Sequence, residues 1–238
     1  MMRQLLIVGL ALLLTGCSSS GRSGLSQSPT DVPALAGAPR WDSLTSYTLW
    51  STTREEDLAR TPPAVTAQLS YELRYQAQPL AYLMRIYRGD APAAEILTVD
   101  GNTYVKAGNK WLQTPTAASE PSAPPFMVRQ LPPDLWRTAR IVGAENIAGV
   151  ATTHYRTNDA HLAEFMRVAG QEEQPGATQV DYWIADRGGY LKQLALAVTV
   201  TANGRPLRRT LVLTIQNENL PQNIVPPPAE QMQEIKRP

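Results

Sequence analysis

Residues 194–215, LALAVTVTANGRPLRRTLVLTI, decide the fold. Leu194, Leu196, Val198 and Val200 alternate with Ala or Thr, so all four point to one side of an extended chain. Asn203-Gly204 follows, a pair that tolerates the positive φ angles of a two-residue hairpin turn. Beyond the turn, Leu207, Leu211, Leu213 and Ile215 take up the apolar spacing again. Two strands folded back on each other through a tight turn argue for an antiparallel sheet.

The same grammar recurs outward from this hairpin. Leu69, Tyr71, Leu73 and Tyr75 share one side, with Ser70, Glu72 and Arg74 on the other. Leu80, Tyr82, Met84 and Ile86 form another such row. Asp100-Gly101 separates Ile96–Val99 from Thr103–Val105, and Gly108-Asn109 leads into Trp111-Leu112. Val180, Tyr182 and Ile184 alternate before Gly188-Gly189. Residues 45–60 begin as a strand at Tyr47 and Leu49, and their charged end reads as polar loop or helix.

One segment has the helical period instead. Between Asp159 and Ala169, Leu162, Phe165, Met166 and Ala169 fall on one helix face, Asn158 or Asp159 can cap the first turn, and Gly170 can end it. A short second helix is predicted over Pro133 to Thr138. The proline-dense stretch from Thr114 to Pro132 reads as a long, partly ordered loop.

The amino terminus carries a separate message. MMRQLLIVGLALLLTGCSSS has an early charge at Arg3, an apolar core from Leu5 to Leu14, and Gly16 before Cys17, which is the chain's single cysteine. The apolar run is shorter than the roughly 20 residues of a membrane span. The pattern is that of a bacterial lipoprotein signal, cut before Cys17, whose thiol then takes a diacylglycerol thioether. Two or three acyl chains tether a protein stably where one does not. With that thiol consumed, no internal disulfide is possible. Ser18 to Arg40, rich in Ser, Gly, Ala and Pro, reads as a flexible tether spanning on the order of 25 Å. The expected organisation is a signal peptide at 1–16, a tether at 17–40, one domain over 41–226 and a tail over 227–238.

Composition and motifs narrow the function. A net charge of +1 with scattered Lys and Arg gives no basic patch for nucleic acid. There is no GxSxG elbow, no HExxH helix and no phosphate loop around Gly188-Gly189. His154 and His161 lack cysteine partners and read as surface or edge residues. The expectation is a protein that is not an enzyme and uses no cofactor or metal. Five Trp and nine Tyr against two Phe favour residues with an apolar body and a polar tip, which suit sheet faces, cavity rims and membrane interfaces.

Several segments, in order, resemble the LolA/LolB-like superfamily, including its LppX/LprG-type lipid-binding lipoproteins. They are Val99-Asp100-Gly101-Asn102-Thr103-Tyr104 with Lys110-Trp111, Ala148-Gly149-Val150 leading to Thr153-His154-Tyr155, and Asp181-Tyr182-Trp183-Ile184-Ala185 with Gly189-Tyr190-Leu191. In the last, the acidic residue Asp186 stands one place late. The resemblance implies a mainly β, α+β fold: a strongly curved antiparallel sheet forming an incomplete barrel over one or two helices, with acyl chains held between them. No counterpart is found for the protruding apolar loop of some members. Candidate cavity residues are Leu73, Tyr82, Met84, Ile86, Leu196, Val198, Leu211 and Leu213 from the strands, closed by Leu162, Phe165 and Met166 from the helix.

The expected function is that of an extracytoplasmic lipoprotein, anchored through Cys17, which binds acyl chains of a lipid, glycolipid or lipoprotein and assists their transfer in the cell envelope. It would sit on the outer membrane facing the periplasm in a Gram-negative cell, or on the outer face of the cell membrane otherwise. The alternatives are an RseB-like sensor that binds an envelope protein partner, or a structural lipoprotein with a filled core.

Overall fold

The computed structural model describes residues 39–40, 43–89, 91–114, 135–158 and 173–233. Eleven strands form a single sheet: β1 (Ser46–Asp57), β2 (Ala64–Gln76), β3 (Ala81–Arg88), β4 (Ala91–Val99), β5 (Asn102–Ala107), β6 (Lys110–Thr114), β7 (Arg140–Ile147), β8 (Val150–Thr157), β9 (Glu173–Ala185), β10 (Leu191–Ala202) and β11 (Arg205–Gln216). Their spatial order is β6-β5-β4-β3-β2-β1-β11-β10-β9-β8-β7, and every neighbouring pair is antiparallel. The chain meanders from the middle to one edge, reappears at the other, and meanders back until β11 meets β1. Because β6 and β7 are the two edges, the sheet is open and curved rather than a closed barrel.

The diagnostic hairpin forms as its sequence predicts. Asn203 and Gly204 have φ values of 50° and 75°, and Leu194 pairs with Leu213 and Leu196 with Leu211. The two strands at the centre join the ends of the domain, with Leu49 opposite Ile215 and Asp57 opposite Leu207.

Two segments depart from the sequence reading. β1 does not give way to loop or helix at its charged end but runs to Asp57. Its charges have partners across the strand. Arg208 Nε donates to Glu56 at 2.7 Å, and Arg209 Nε to Glu55 at 2.9 Å. The carboxy-terminal segment, read as a tail over 227–238, is docked as far as Gln233. A single 3₁₀ turn at Ala229–Gln231 brings Met232 into a parallel bridge with Trp111, and the Gln233 N–H donates to the Trp111 carbonyl at 2.9 Å.

Short helix α1 (Leu135–Thr138) forms within the span predicted for it. The longer helix predicted at Asp159 to Ala169, the proline-dense stretch after Thr114, and the signal and tether lie outside the described residues.

Candidate functional site

Residues directly opposite in an antiparallel pair share a face, so the register places the candidates without ambiguity. Leu73 lies opposite Met84 and Leu49, and Tyr71 opposite Ile86. Tyr75 lies opposite Tyr82 and Tyr47. Across the centre, Ser51 faces Leu213 and Thr53 faces Leu211, which in turn meets Leu196. Val198 lies opposite Arg209, itself opposite Glu55. All eight strand candidates thus belong to one face of the sheet. Cys17, Leu162, Phe165 and Met166 lie outside the described residues.

Coverage of this face changes across the sheet. On β10 and β11, Leu196, Val198, Leu211 and Leu213 are at most 1% exposed, and Tyr182 and Val180 on β9 are fully buried. From α1, Leu135 is buried, and Trp136 meets Tyr182 edge-on with ring centroids 4.8 Å apart. Tyr155 stacks on Tyr182 at 5.1 Å. On β2 to β5, Leu73, Met84, Ile86, Ile96 and Val105 are only partly buried. Ile96 and Val105 are paired with each other, and Ile96 with Met84. These two were missed as site residues, although alternation places Ile96 two residues before Thr98 and Val105 two after Thr103. Their membership depends on which strands pair, and spacing alone does not state that.

Polar groups bound the apolar face. At one end Arg209, 3% exposed, forks onto Glu173 through both terminal nitrogens, at 2.9 and 2.8 Å. With Glu55 on its Nε, the guanidinium is fully engaged in a structural role. On β2, burial pushes the Tyr71 phenol up to about 12. Burial, with Tyr155 alongside, raises Tyr182 far above the ordinary phenol range, and its hydroxyl has no hydrogen-bond partner among the described residues.

The opposite face is organised by charge. Glu72, 3% exposed, accepts from Arg74 at 2.6 Å, Tyr87 at 3.0 Å and Arg85 at 3.3 Å. Glu95 takes Arg85 at 3.0 Å and Lys106 at 2.5 Å. Burial opposes the charge of both carboxylates, but these donors outweigh it and hold both below the usual range.

On the other wing, His154 is 5% exposed, not a surface or edge residue as expected. Its Nδ1 lies 2.7 Å from Glu145 and its Nε2 2.7 Å from Asp181, with the ring stacked on Trp183 at 4.4 Å. Asp181 also accepts from Gln179 and Arg156, each at 2.6 Å. Burial again opposes its charge, and these donors, with His154, keep Asp181 below the usual range. Sequence reasoning missed the cluster because its members come from three strands. No group of three or more His, Cys, Asp or Glu side chains arranged to hold a metal ion occurs among the described residues.

No family model matches the chain, and no curated protein matches it. Solved structures do. The Mycobacterium tuberculosis lipoprotein LppX aligns at 20% identity over 77% of this chain and 91% of its own, with a TM-score of 0.46. LprF from Mycobacterium bovis aligns at 16% identity over 77% and 90%, with a TM-score of 0.43. The Pseudomonas aeruginosa MucA/MucB complex contributes a chain at 13% identity, covering 79% of this one and 56% of that, with a TM-score of 0.29.

Proposed function

We propose that this chain is a lipoprotein, held outside the cytoplasm by acyl groups on Cys17, which binds the acyl part of a lipid, glycolipid or lipoprotein and helps to pass it within the cell envelope. The role is binding and transfer, without catalysis. One observation carries the reading: a single apolar surface runs from the buried residues of β9 to β11 onto Leu73, Met84, Ile86, Ile96 and Val105, which remain partly exposed. Among the described residues, the core does not use up this surface. An alkyl chain laid on it gains roughly 0.8 kcal/mol per buried methylene. Such a surface discriminates weakly between head groups, because its side chains offer few polar contacts.

A second reading, an envelope interaction module, draws on the edge strand β7, where Ile141 is 68% and Val142 47% exposed. An uncovered strand edge can pair with an extended partner segment.

A fluorescent fatty-acyl probe titrated into the full-length protein separates the two. Carrier function predicts saturable binding, and Ile86→Trp should weaken it at least tenfold while the urea midpoint stays close to that of the parent. No probe binding, together with no lipid on organic extraction, would sink the carrier reading and leave the interaction module.

A further inference from the structure

On the polar face of the sheet, away from the apolar surface, lies a hollow of about 460 Å³. Its floor is cross-strand: Thr48 and Trp50 on β1 lie opposite Arg74 and Glu72 on β2. Its rim is the segment after β11, including Leu220, Gln222 and Asn223. Trp50 is 38% exposed, unusual for an indole in mid-strand, and its ring is backed by Tyr87 at 5.8 Å. Leu220, at 55% exposed, adds a second apolar edge.

The rim is rigid. Asn217, Asn219 and Asn223 all hold the left-handed backbone conformation, with φ of 54°, 58° and 50°, which side chains other than glycine adopt at a cost. Asn219 is tied by the Thr45 N–H at 2.7 Å and donates to the Ser43 carbonyl at 3.0 Å. Buried Gln222 accepts from Thr48 Oγ1 at 2.9 Å and donates to the Leu220 carbonyl at 2.9 Å. A site ordered before its ligand arrives loses less entropy on binding.

The chemistry on offer is an exposed indole face, a guanidinium and an amide. The Glu72 carboxylate lines the hollow 2.6 Å from Arg74 and would repel a phosphate placed against that guanidinium. An alkyl chain would have to desolvate this ion pair and the amides for little return. A pyranose ring suits all three features: its C–H face lies on the indole, and its hydroxyls bond to donors and acceptors at the rim. We propose that this hollow is a binding site for a neutral pyranose oligosaccharide, independent of the acyl-binding surface on the other face.

The test uses the full-length protein in polyoxyethylene alkyl ether micelles, which carry no sugar. A β-1,4-linked N-acetylglucosamine trimer and an α-linked mannose trimer are titrated separately, with saturation-transfer NMR as the readout. Transfer to the ring C–H protons of at least one trimer is expected. Trp50→Ala should weaken binding at least tenfold. Asn223→Gly, which keeps the left-handed backbone and removes only the amide, should weaken it severalfold and decides the matter if Trp50→Ala fails to fold. Fatty-acyl probe binding should be unchanged in both variants, which separates this site from the carrier reading. Absence of transfer to either trimer, unchanged affinity in these variants, or displacement by millimolar inorganic phosphate would overturn the proposal.

Discussion

Leu211 and Met84 stand on the same face of the same sheet, yet Leu211 is 1% exposed and Met84 is only partly covered. The wing formed by β9, β10 and β11 is a finished core. On the wing formed by β2 to β5 the same kind of apolar row is buried at Tyr75 and Tyr82 and, among the described residues, only partly covered at Leu73, Met84, Ile86, Ile96 and Val105. The difference shows that alternation encodes which way a side chain points, and not whether anything rests on it. A sheet can therefore write core and binding surface in one pattern, and only the neighbouring elements separate them.

The sharpest way to break this comparison is truncation on each wing. Leu211→Ala should cost about 2–5 kcal/mol in urea unfolding, through lost burial and a cavity that packed neighbours cannot fill. Met84→Ala should cost about 1 kcal/mol, since its apolar area is already partly in water. Equal costs would mean that the two wings are equally closed. An effect between these two is expected from His154→Ala. It leaves Asp181 with Arg156 and Gln179 but strips Glu145 of one partner, for about 2 kcal/mol. A change below about 0.5 kcal/mol would show that the cluster is held by Arg156 and Trp183 without the imidazole.

How much of this was legible in the sequence follows from the same contrast. The rows Leu194–Val200 and Leu207–Ile215 and the Asn203-Gly204 turn place a hairpin without knowledge of any partner, because local spacing and turn chemistry suffice. The continuation of β1 through Arg54 to Asp57 was not legible. A run of charge looks like loop until Arg208 and Arg209 are known to lie across from it, 152 and 154 residues away. His154 was misread for the same reason: Glu145 is nine residues off and Asp181 twenty-seven. All eight strand candidates fell on one face because each was drawn from an apolar row. Ile96 and Val105 escaped notice because only the pairing of β3, β4 and β5 joins them to that face.

The charged face gives both wings a common pH dependence. Glu72, Glu95 and Asp181 are held below the usual carboxylate range in the fold. Groups depressed in this way bind fewer protons folded than unfolded, so their contribution is complete above the unfolded carboxylate range, about 4, and is lost as pH falls through the folded values. Urea midpoints should therefore change little from pH 7 to pH 5 and drop below about pH 4. Glu72→Gln removes one depressed carboxylate and should make that drop shallower. An equally steep drop in the variant would assign it to other groups.

The smallest expected effect compares the two edges. β6 is capped: Met232 bridges to Trp111, Gln233 donates to the Trp111 carbonyl, and Lys110 Nζ donates to the Glu230 carbonyl at 2.6 Å. Beneath the cap, Ile224 and Met232 pack on the second apolar cluster, which contains Leu97, Val99, Tyr104 and Trp111. β7 has mostly exposed residues, including Ile141 and Val142. Edge strands left open invite pairing with other chains; the tail covers the β6 edge, whereas among the described residues β7 pairs with β8 alone. Met232→Ala should cost about 0.5–1 kcal/mol, because the side chain is only partly buried and the backbone bridge can persist. Its main signature should be local: faster amide hydrogen exchange in β6 and in the tail, with β10 and β11 unchanged. Uniform acceleration across the sheet would show instead that the tail belongs to the same cooperative unit as the core, and the two edges would then differ in sequence but not in stability.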